Sequence, residues 1–340
     1  MNGPGEDGHG GTGGEKSLMK MAQILPAWGM ILNGRRPFLS IEMTRECPLH
    51  CPGCYAYDPK HTGEAGPLRK LGDLTGNELV EGVLAVAKRF RPLHISLVGG
   101  EPLVRHRELD ALLPLLAPTE VQLVTSAVRS IPRAWAEHRH VHMVVSVDGL
   151  PGEHNRRRAP ATYDRILQNI AGHQVIVHCT ITRQLMQRDG YLRDFAAYWS
   201  ERPEARKIWF SLFTPQSGQH SEERLMPLER DRALRDMAGL PALFPKVYAS
   251  SALVDGYAHP PEHPAQCIFA NVTTCISADM KTEISPCELG GTPECRECGC
   301  IASAGFAAIA RYRLAGLVRV GDIFQLSSRI GNARRRHRAT

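Results

Sequence analysis

Three cysteines, Cys47, Cys51 and Cys54, lie within eight residues of a 340-residue chain. Their spacing, C-x3-C-x2-C, predicts a compact loop around one metal centre, since thiolates are soft ligands that suit zinc or an iron–sulfur cluster. A structural zinc site needs four protein ligands, and no fourth cysteine or well-placed histidine completes this loop. Three thiolates therefore favour a cubane cluster with one iron open to a non-protein ligand. Zinc stays the alternative.

A strand predicted over residues 38–43 leads into this loop. Five more strands are predicted at 93–98, 121–126, 141–147, 175–180 and 208–213, separated mainly by helical patterns at 77–90, 108–116, 163–171, 191–199 and 228–237. This alternation predicts an α/β fold with a parallel sheet and right-handed crossovers. Six units are too few for an ordinary eight-stranded barrel, and no G-x-G-x-x-G opens a helix. A curved, incomplete barrel is the remaining interpretation.

Polar and glycine-rich turns follow the second and fourth predicted strands. They are Gly99-Gly100-Glu101-Pro102 and Ser146-Val147-Asp148-Gly149. Ligands of parallel sheets bind at the carboxyl ends of the strands, so both turns are predicted to face the same site as the cysteine loop. Adjacent glycines let the backbone approach a ligand closely, and Glu101 offers a carboxylate to an ammonium group. Ser146 and Asp148 share one face of their strand.

The cysteine loop, followed one βα unit later by Gly99-Gly100-Glu101, resembles the signature of the radical S-adenosylmethionine (radical SAM) superfamily. The resemblance implies a partial (β/α)6 barrel in which the open iron chelates the amino and carboxylate groups of S-adenosylmethionine (SAM). An electron from the cluster then releases a 5′-deoxyadenosyl radical, which abstracts hydrogen from a substrate. The same resemblance implies that the glycine–glutamate turn binds the amino group of SAM.

Further positions follow from this resemblance. The run from Ser146 to Arg158 is similar to a stretch of relatives with SPASM or twitch extensions, which implies SAM contacts for Ser146 and Asp148. His154 and Arg158 are expected to brace the loop. The family often has an aromatic residue directly before the third cysteine, where this chain has Gly53, and Tyr55 is expected to replace it in part.

A second group of six cysteines follows the predicted barrel: Cys267, Cys275, Cys287, Cys295, Cys298 and Cys300. Four thiolates support a second [4Fe–4S] cluster or a tetrahedral zinc, and spacing does not separate the two. A hairpin predicted over 276–286 carries Cys275 and Cys287 at or near its ends. The order of barrel and cysteine-rich module resembles a SPASM/twitch extension. Six cysteines, where a full SPASM module uses seven, favour one auxiliary cluster, with four cysteines ligating.

Composition restricts the class of protein. The formal charge is +6, and nine of ten cysteines lie in the two groups, which is typical of metal binding in a reducing cytosol. The uncharged segment at 21–34 is read as a packed helix, with a membrane-skimming helix or a signal-peptide core as alternatives. The basic run at 334–338 is predicted to be a solvated tail. No specific nucleic-acid binding is expected, and weak contact with a membrane surface stays open.

The predicted organisation has four parts: a disordered glycine-rich start and apolar helical extension (1–36), the barrel (37–245), the iron–sulfur module (246–310) and a C-terminal helix with a basic tail (311–340). The predicted function is a cytoplasmic radical SAM enzyme of oxidoreductase or transferase type, supplied with electrons by a flavodoxin or ferredoxin. It would carry out an oxidative or bond-forming modification in biosynthesis or peptide maturation. The alternative is a non-catalytic zinc or electron-transfer protein.

The substrate class is left open between peptide, lipid and small molecule. No winged peptide-binding domain precedes residue 37, which weakens the peptide interpretation. The apolar segment at 18–33 gives slight support to a lipid-like substrate.

Overall fold

Seven parallel strands form the main sheet of the protein. The structure is a computed structural model and describes residues 21–62, 72–314 and 317–339. The strands are β1 (Phe38–Glu42), β2 (His94–Val98), β3 (Glu120–Thr125), β4 (Val141–Ser146), β5 (Val175–Ile181), β6 (Ala205–Leu212) and β7 (Thr273–Ile276). Their order is β6-β5-β4-β3-β2-β1-β7, so the sheet is open between β6 and β7. The six predicted strands are confirmed within three residues at each end.

Eleven α-helices accompany the strands in the described residues. They are α1 (Met21–Leu32), α2 (Gly76–Phe90), α3 (His106–Leu112), α4 (Pro151–Arg158), α5 (Tyr163–Asn169), α6 (Tyr191–Ser200), α7 (Pro227–Leu243), α8 (Ser251–Ala258), α9 (Ile268–Val272), α10 (Ile301–Arg311) and α11 (Val320–Ala339). Five of them, α2, α3, α5, α6 and α7, match the predicted helices. Helix α4 was not predicted because its sequence, PGEHNRRR, has no apolar periodicity.

Alternation along the strands gives the sheet two different faces. Leu39 and Ile41 of β1 belong to the large apolar core that the helices cover. The residues between and after them, Ser40 and Glu42, lie on the opposite face and are also buried. The polar face is therefore the inner surface of the incomplete barrel, and its carboxyl end carries the candidate site.

Strand β7 was missed by the sequence analysis. It pairs in parallel with β1, with Cys275 in register with Ser40. A tight turn follows, in which the amide of Ser277 donates to the carbonyl oxygen of Thr282 and Ile276 forms an antiparallel bridge with Glu283. The predicted hairpin is therefore present, and its first strand is β7 of the main sheet. Four residues are too few to give a period-2 signal, which explains the miss.

The apolar segment before β1 packs against the end of the chain. Ile31 of α1 forms a small core with Phe324 of α11 and Val272, which confirms the packing interpretation for this helix. Arg334 donates to the carbonyl oxygen of Leu32 at 3.1 Å. The basic run at 334–338 continues α11 and does not form a separate tail. None of the helices in the described ranges has the length and apolar character needed to span a membrane.

One prediction concerns residues that are not described. The glycine-rich start, predicted to be disordered, lies outside the described residues. The boundaries of the four predicted parts remain predictions.

Candidate metal and cofactor site

The first cysteine loop leaves β1 and ends in a short turn of 3-10 helix, Tyr55–Tyr57. Its start is held by Asp73, whose Oδ2 accepts hydrogen bonds at 2.7 Å from the hydroxyl of Thr44 and the amide of Arg45. Within the loop, the amide of Cys54 donates to the carbonyl oxygen of Cys51 at 3.3 Å. Local backbone contacts therefore bring the second and third cysteines into one turn.

The three thiols are close enough to influence one another. Burial raises the pKa of Cys47 to about 11, with smaller contributions from the charges of Glu101 and Cys51. Burial and the charge of Cys51 also raise the pKa of Cys54. A bound cationic iron centre would reverse this preference, because metal ions favour the thiolate form.

The donor set of this loop fits the chemistry of the predicted cluster, with three thiols and no carboxylate or imidazole among them. Within the described part of the chain, no group of three or more histidine, cysteine, aspartate or glutamate side chains is arranged to hold a single metal ion.

The two glycines after β2 pack directly on the chain segment that opens the cysteine loop. Gly100 donates its amide to the carbonyl oxygen of Thr44 at 2.7 Å, and Glu101 donates its own to that of Glu46 at 2.9 Å. A Cβ on Gly99 would lie 2.5 Å from the Thr44 oxygen, and one on Gly100 would clash with the backbone of Glu46. These glycines are required for backbone packing, and their contact with a ligand stays a prediction.

The carboxylate of Glu101 is occupied by protein donors. Its Oε1 accepts from the amide of Leu103 at 2.9 Å and from the hydroxyl of Thr125 at 2.5 Å, and its Oε2 accepts from the amide and hydroxyl of Ser126 at 2.7 and 2.5 Å. Four donors match the usual capacity of a carboxylate. The side chain thus fixes the turn after β2, and these contacts do not favour its predicted role as a direct acceptor for an ammonium group.

Asp148 is likewise buried, and both of its carboxylate oxygens accept hydrogen bonds from the protein. Its Oδ2 accepts from Nε of Arg157 at 2.9 Å and from Nε of Arg158 at 2.6 Å, and its Oδ1 accepts from the amide of Thr180 at 3.0 Å. Burial alone would raise the pKa of Asp148, but the charges of Arg158 and Arg157 hold it well below its usual range. Asp148 therefore anchors two arginines. The sequence predicted a direct contact with SAM for this residue and did not predict this role.

Arg158 carries a positive charge to the cysteine loop. Burial lowers the pKa of its guanidinium, but the charges of Asp148, Cys51 and Cys54 raise it above its ordinary value. Arg157, whose Nε also binds Asp148, forms an ion pair through Nη1 with Glu223. The structure thus places one partly buried arginine, held by Asp148, within electrostatic reach of the second and third cysteines.

His154 and Ser146 complete the surroundings of Asp148. The Nδ1 of His154 accepts from the amide of Asp148 at 3.0 Å, and its Nε2 lies 2.7 Å from the carbonyl oxygen of Ala161, so the ring braces the loop as a neutral imidazole. Burial lowers its pKa to about 4. Ser146 ends β4 in register with His178, whose Nε2 lies 2.8 Å from the hydroxyl of Ser211. A contact between Ser146 and SAM stays a prediction.

The side chain of Tyr55 packs against His61. Its ring packs 5.4 Å from that of His61, and burial together with the charge of Glu288 holds the pKa of its hydroxyl well above the usual range. The space beside Gly53 is taken by Phe213, which follows β6. The geometry therefore does not favour Tyr55 as the replacement for the aromatic residue.

The second cysteine group forms a pocket beyond the open edge of the sheet. Five of its six cysteines line this pocket: Cys267, Cys287, Cys295, Cys298 and Cys300. The thiol of Cys267 lies 3.4 Å from the hydroxyl of Ser303, and the thiol of Cys300 lies 3.6 Å from Oε1 of Glu288. Burial and the charge of Glu288 hold the pKa of Cys300 well above its ordinary value. A pocket with five thiols fits a soft metal centre.

Cys275 is the member of the group that does not line the pocket. It lies in β7, is buried, and has a pKa well above its usual value because of burial and the charges of Glu288 and Cys287. Its predicted candidacy as a ligand is therefore the weakest of the six.

Four residues of the site were not predicted from the sequence: Arg157, Phe213, Glu288 and His61. Arg157 stands next to Arg158 in a run that resembles the family stretch, so that signal was available. Glu288 directly follows a candidate ligand. Phe213 and His61 carry no local signal, because their partners lie far away in the sequence.

Part of the chain matches a known protein family. Residues 41–174 match the family model described as the radical SAM superfamily, and this range includes the first cysteine loop, the turn after β2 and Asp148. This match covers less than half of the chain and shows that these residues are similar to radical SAM domains. The cofactors of radical SAM enzymes are a [4Fe–4S] cluster and SAM, as the resemblance implied. No curated protein sequence matches the chain.

Solved structures with a similar fold are radical SAM proteins. Streptococcus suis SuiB bound to S-adenosylmethionine is 14% identical with a TM-score of 0.52, over 72% of this chain and 59% of SuiB. SuiB bound to precursor peptide SuiA is 14% identical with a TM-score of 0.53, over 93% of this chain and 72% of SuiB. Native anSMEcpe with bound AdoMet and the Cp18Cys peptide is 13% identical with a TM-score of 0.52, over 86% of this chain and 84% of anSMEcpe. At these identities the similarity shows the fold, including the extension beyond the barrel.

Proposed function

We propose that this chain is a radical SAM enzyme that abstracts hydrogen from a peptide substrate in a net oxidative modification. The observation that carries the proposal is the position of Arg158, held by buried Asp148 beside Cys51 and Cys54. A fixed cation next to a three-cysteine loop suits a ligand that carries a carboxylate and also binds the metal.

Cys47, Cys51 and Cys54 would hold the first cluster, which, when bound, supplies the electron that cleaves SAM. Arg158 would bind the carboxylate of SAM, while Asp148 keeps its guanidinium oriented. The backbone of the turn at 99–101 would receive the amino group, since the Glu101 side chain is already saturated with donors.

The second pocket would hold one auxiliary cluster. Five lining thiols exceed the four that a [4Fe–4S] cluster needs. The charges of Cys298 and Cys267 contribute to raising the pKa of Cys287, and the charge of Cys267 contributes to raising that of Cys298. Such a cluster can accept an electron from a substrate radical, which suits an oxidative reaction. An external flavodoxin or ferredoxin would supply electrons to the first cluster.

The choice of a peptide is supported by the bound ligands of proteins with the same fold. SuiB has been solved with the precursor peptide SuiA, and anSMEcpe with the Cp18Cys peptide. Lipid and small-molecule substrates are the alternatives. A short precursor peptide encoded beside this gene would be the first candidate, tested by co-expression and mass spectrometry. Loss of two hydrogen atoms from the peptide supports the proposal, whereas an unmodified peptide and a modified lipid or small molecule would reassign the substrate.

The enzyme activity is tested by anaerobic reconstitution with iron and sulfide, reduction, and measurement of 5′-deoxyadenosine. We expect SAM cleavage by the native protein, its abolition in Cys51→Ala, and no loss in Cys179→Ala, which removes the buried cysteine outside both groups. A reduced, iron-loaded protein that neither binds nor cleaves SAM would refute the enzyme and favour a zinc or electron-transfer protein.

A further inference from the structure

A buried histidine connects the two cysteine-bearing parts of the chain. His61 lies outside the strands and helices, seven residues after Cys54, and is fully buried. Its Nε2 lies 2.7 Å from Oε1 of Glu42, at the end of β1, and its Nδ1 lies 2.9 Å from the carbonyl oxygen of Leu289. One ring thus joins the strand that leads into the first loop to the turn that follows Cys287.

Both partners of this ring are hydrogen-bond acceptors. A neutral imidazole has one N–H and could donate to only one of them, whereas an imidazolium donates to both. Burial lowers the pKa of His61, but the hydrogen bond and charge of Glu42 raise it more, so the net shift is upward. The contact with Glu42 is therefore a buried ion pair, whose two charges compensate each other away from water.

The backbone around the ring leaves little room for adjustment. Gly290 has φ +60°, and a Cβ there would clash with the carbonyl oxygen of His61. The amide of Gly290 donates to the carbonyl oxygen of Cys287 at 2.9 Å. Ser277, directly after β7, donates to the second oxygen of Glu42 at 3.0 Å. A displacement of His61 would thus move the 287–290 turn.

The charge of His61 lies behind the wall of the second pocket. Leu289, which accepts its hydrogen bond, lines that pocket together with Glu288 and Cys287. Reduction adds a negative charge to an iron–sulfur cluster. A nearby buried cation stabilises that added charge, since Coulomb interactions are strong where water is excluded.

We propose that His61 is a positioning residue for the second pocket: its two hydrogen bonds fix the 287–290 turn against β1, and its positive charge raises the reduction potential of the iron–sulfur cluster in the pocket. This inference rests on the proposed function, because it requires the pocket to bind such a cluster.

The experiment uses the full-length chain with Cys51→Ala and Cys54→Ala, so that only the second cluster contributes a signal. Iron content and a redox titration followed by electron paramagnetic resonance are measured. We expect His61→Gln to keep its iron and to lower the midpoint potential, because Glu42 then stands unpaired. The double variant His61→Gln, Glu42→Gln should recover part of that shift. His220→Gln, at an exposed histidine, is the control and should shift nothing.

A purely structural role predicts the reverse for the double variant, since losing a second hydrogen-bonding group would add to the damage. An unchanged potential in iron-loaded His61→Gln, or a further fall in the double variant, overturns the inference alone. If His61→Gln binds no iron, the double variant distinguishes the two roles. Iron binding by the double variant, with a midpoint potential near that of the parent with His61 intact, supports the charge role. Loss of iron from the double variant rejects it. Absence of iron in the parent with His61 intact refutes the auxiliary cluster itself.

Discussion

The Cβ that Gly53 lacks would lie 2.6 Å from Cε2 of Phe213. Gly53 stands between the second and third cysteines of the first loop with φ +64°, a left-handed conformation that favours glycine. Phe213 follows β6, and its amide donates to the carbonyl oxygen of Ile181 at 2.9 Å. The ring of Phe213 therefore comes from across the barrel to cover the cysteine loop, and a glycine is required beneath it.

Replacing Gly53 with alanine should destabilise the loop through backbone strain and through contact with Phe213. We expect a loss of roughly 2–4 kcal/mol in unfolding free energy, from strain of about 1 kcal/mol and overpacking of about 1–3 kcal/mol. Chemical denaturation of the metal-free protein measures it. Gly172→Ala is the matched control, because Gly172 has φ +83° but open space around it. Equal losses in the two variants would show that the Phe213 contact contributes nothing.

Arg158→Gln should weaken SAM binding to the iron-loaded protein by roughly 10–100-fold. A charge-assisted hydrogen bond contributes about 1.5–3 kcal/mol, and each tenfold change in affinity corresponds to about 1.4 kcal/mol. Equilibrium binding of SAM to the unreduced protein provides the measurement. Arg156→Gln, two residues earlier on an exposed face of α4, should bind SAM normally. Equal affinity in both variants would remove Arg158 from the proposed SAM site.

The neutral state of His154 should make stability depend on pH. Its pKa is lowered from 6.5 to about 4 by burial, so the unfolded chain binds a proton between these values and the folded chain does not. Stability therefore rises with pH across this window and falls on acidification. From pH 7 to pH 5, His154 should account for a loss of about 2 kcal/mol.

The variant His154→Gln tests this by removing the titrating group. It should be less stable than the native protein at pH 7, and that difference should shrink by about 2 kcal/mol at pH 5. Urea denaturation at the two pH values gives both numbers. His220→Gln, at an exposed position, should leave the pH dependence as it is. A stability difference that is the same at both pH values would contradict a neutral buried His154.

Single cysteine substitutions should separate the ligands of the second pocket from Cys275. Cys298→Ala should lose the iron of the second cluster, because Cys298 lines the pocket and interacts with Cys267, Cys287 and Cys295. Cys275→Ala should keep that iron. Iron analysis and absorption spectra of reconstituted protein measure both outcomes, and Cys179→Ala is the control at a buried cysteine outside both groups. Iron loss in Cys275→Ala would place this thiol among the ligands.

Much of the architecture could be predicted because it is encoded locally. The spacing of Cys47, Cys51 and Cys54 limits the metal chemistry, and apolar runs such as those of β2 and β5 define parallel strands without knowledge of their partners. The family match then includes the same loop and turns. Helix α4 and strand β7 were missed, because one is too polar and the other too short for a periodic signal.

The sequence by itself determined the cysteine chemistry, the alternation of strands and helices, and the placement of three turns at one edge of the sheet. Only the tertiary structure decided what the side chains there do. The carboxylate of Glu101 accepts four hydrogen bonds from the protein and that of Asp148 accepts three, while Arg158, held by Asp148, lies within electrostatic reach of the cysteine loop. The physical reason is that burial obliges each charge to find partners, and those partners are chosen by strand register and loop paths across the fold, which local patterns do not record.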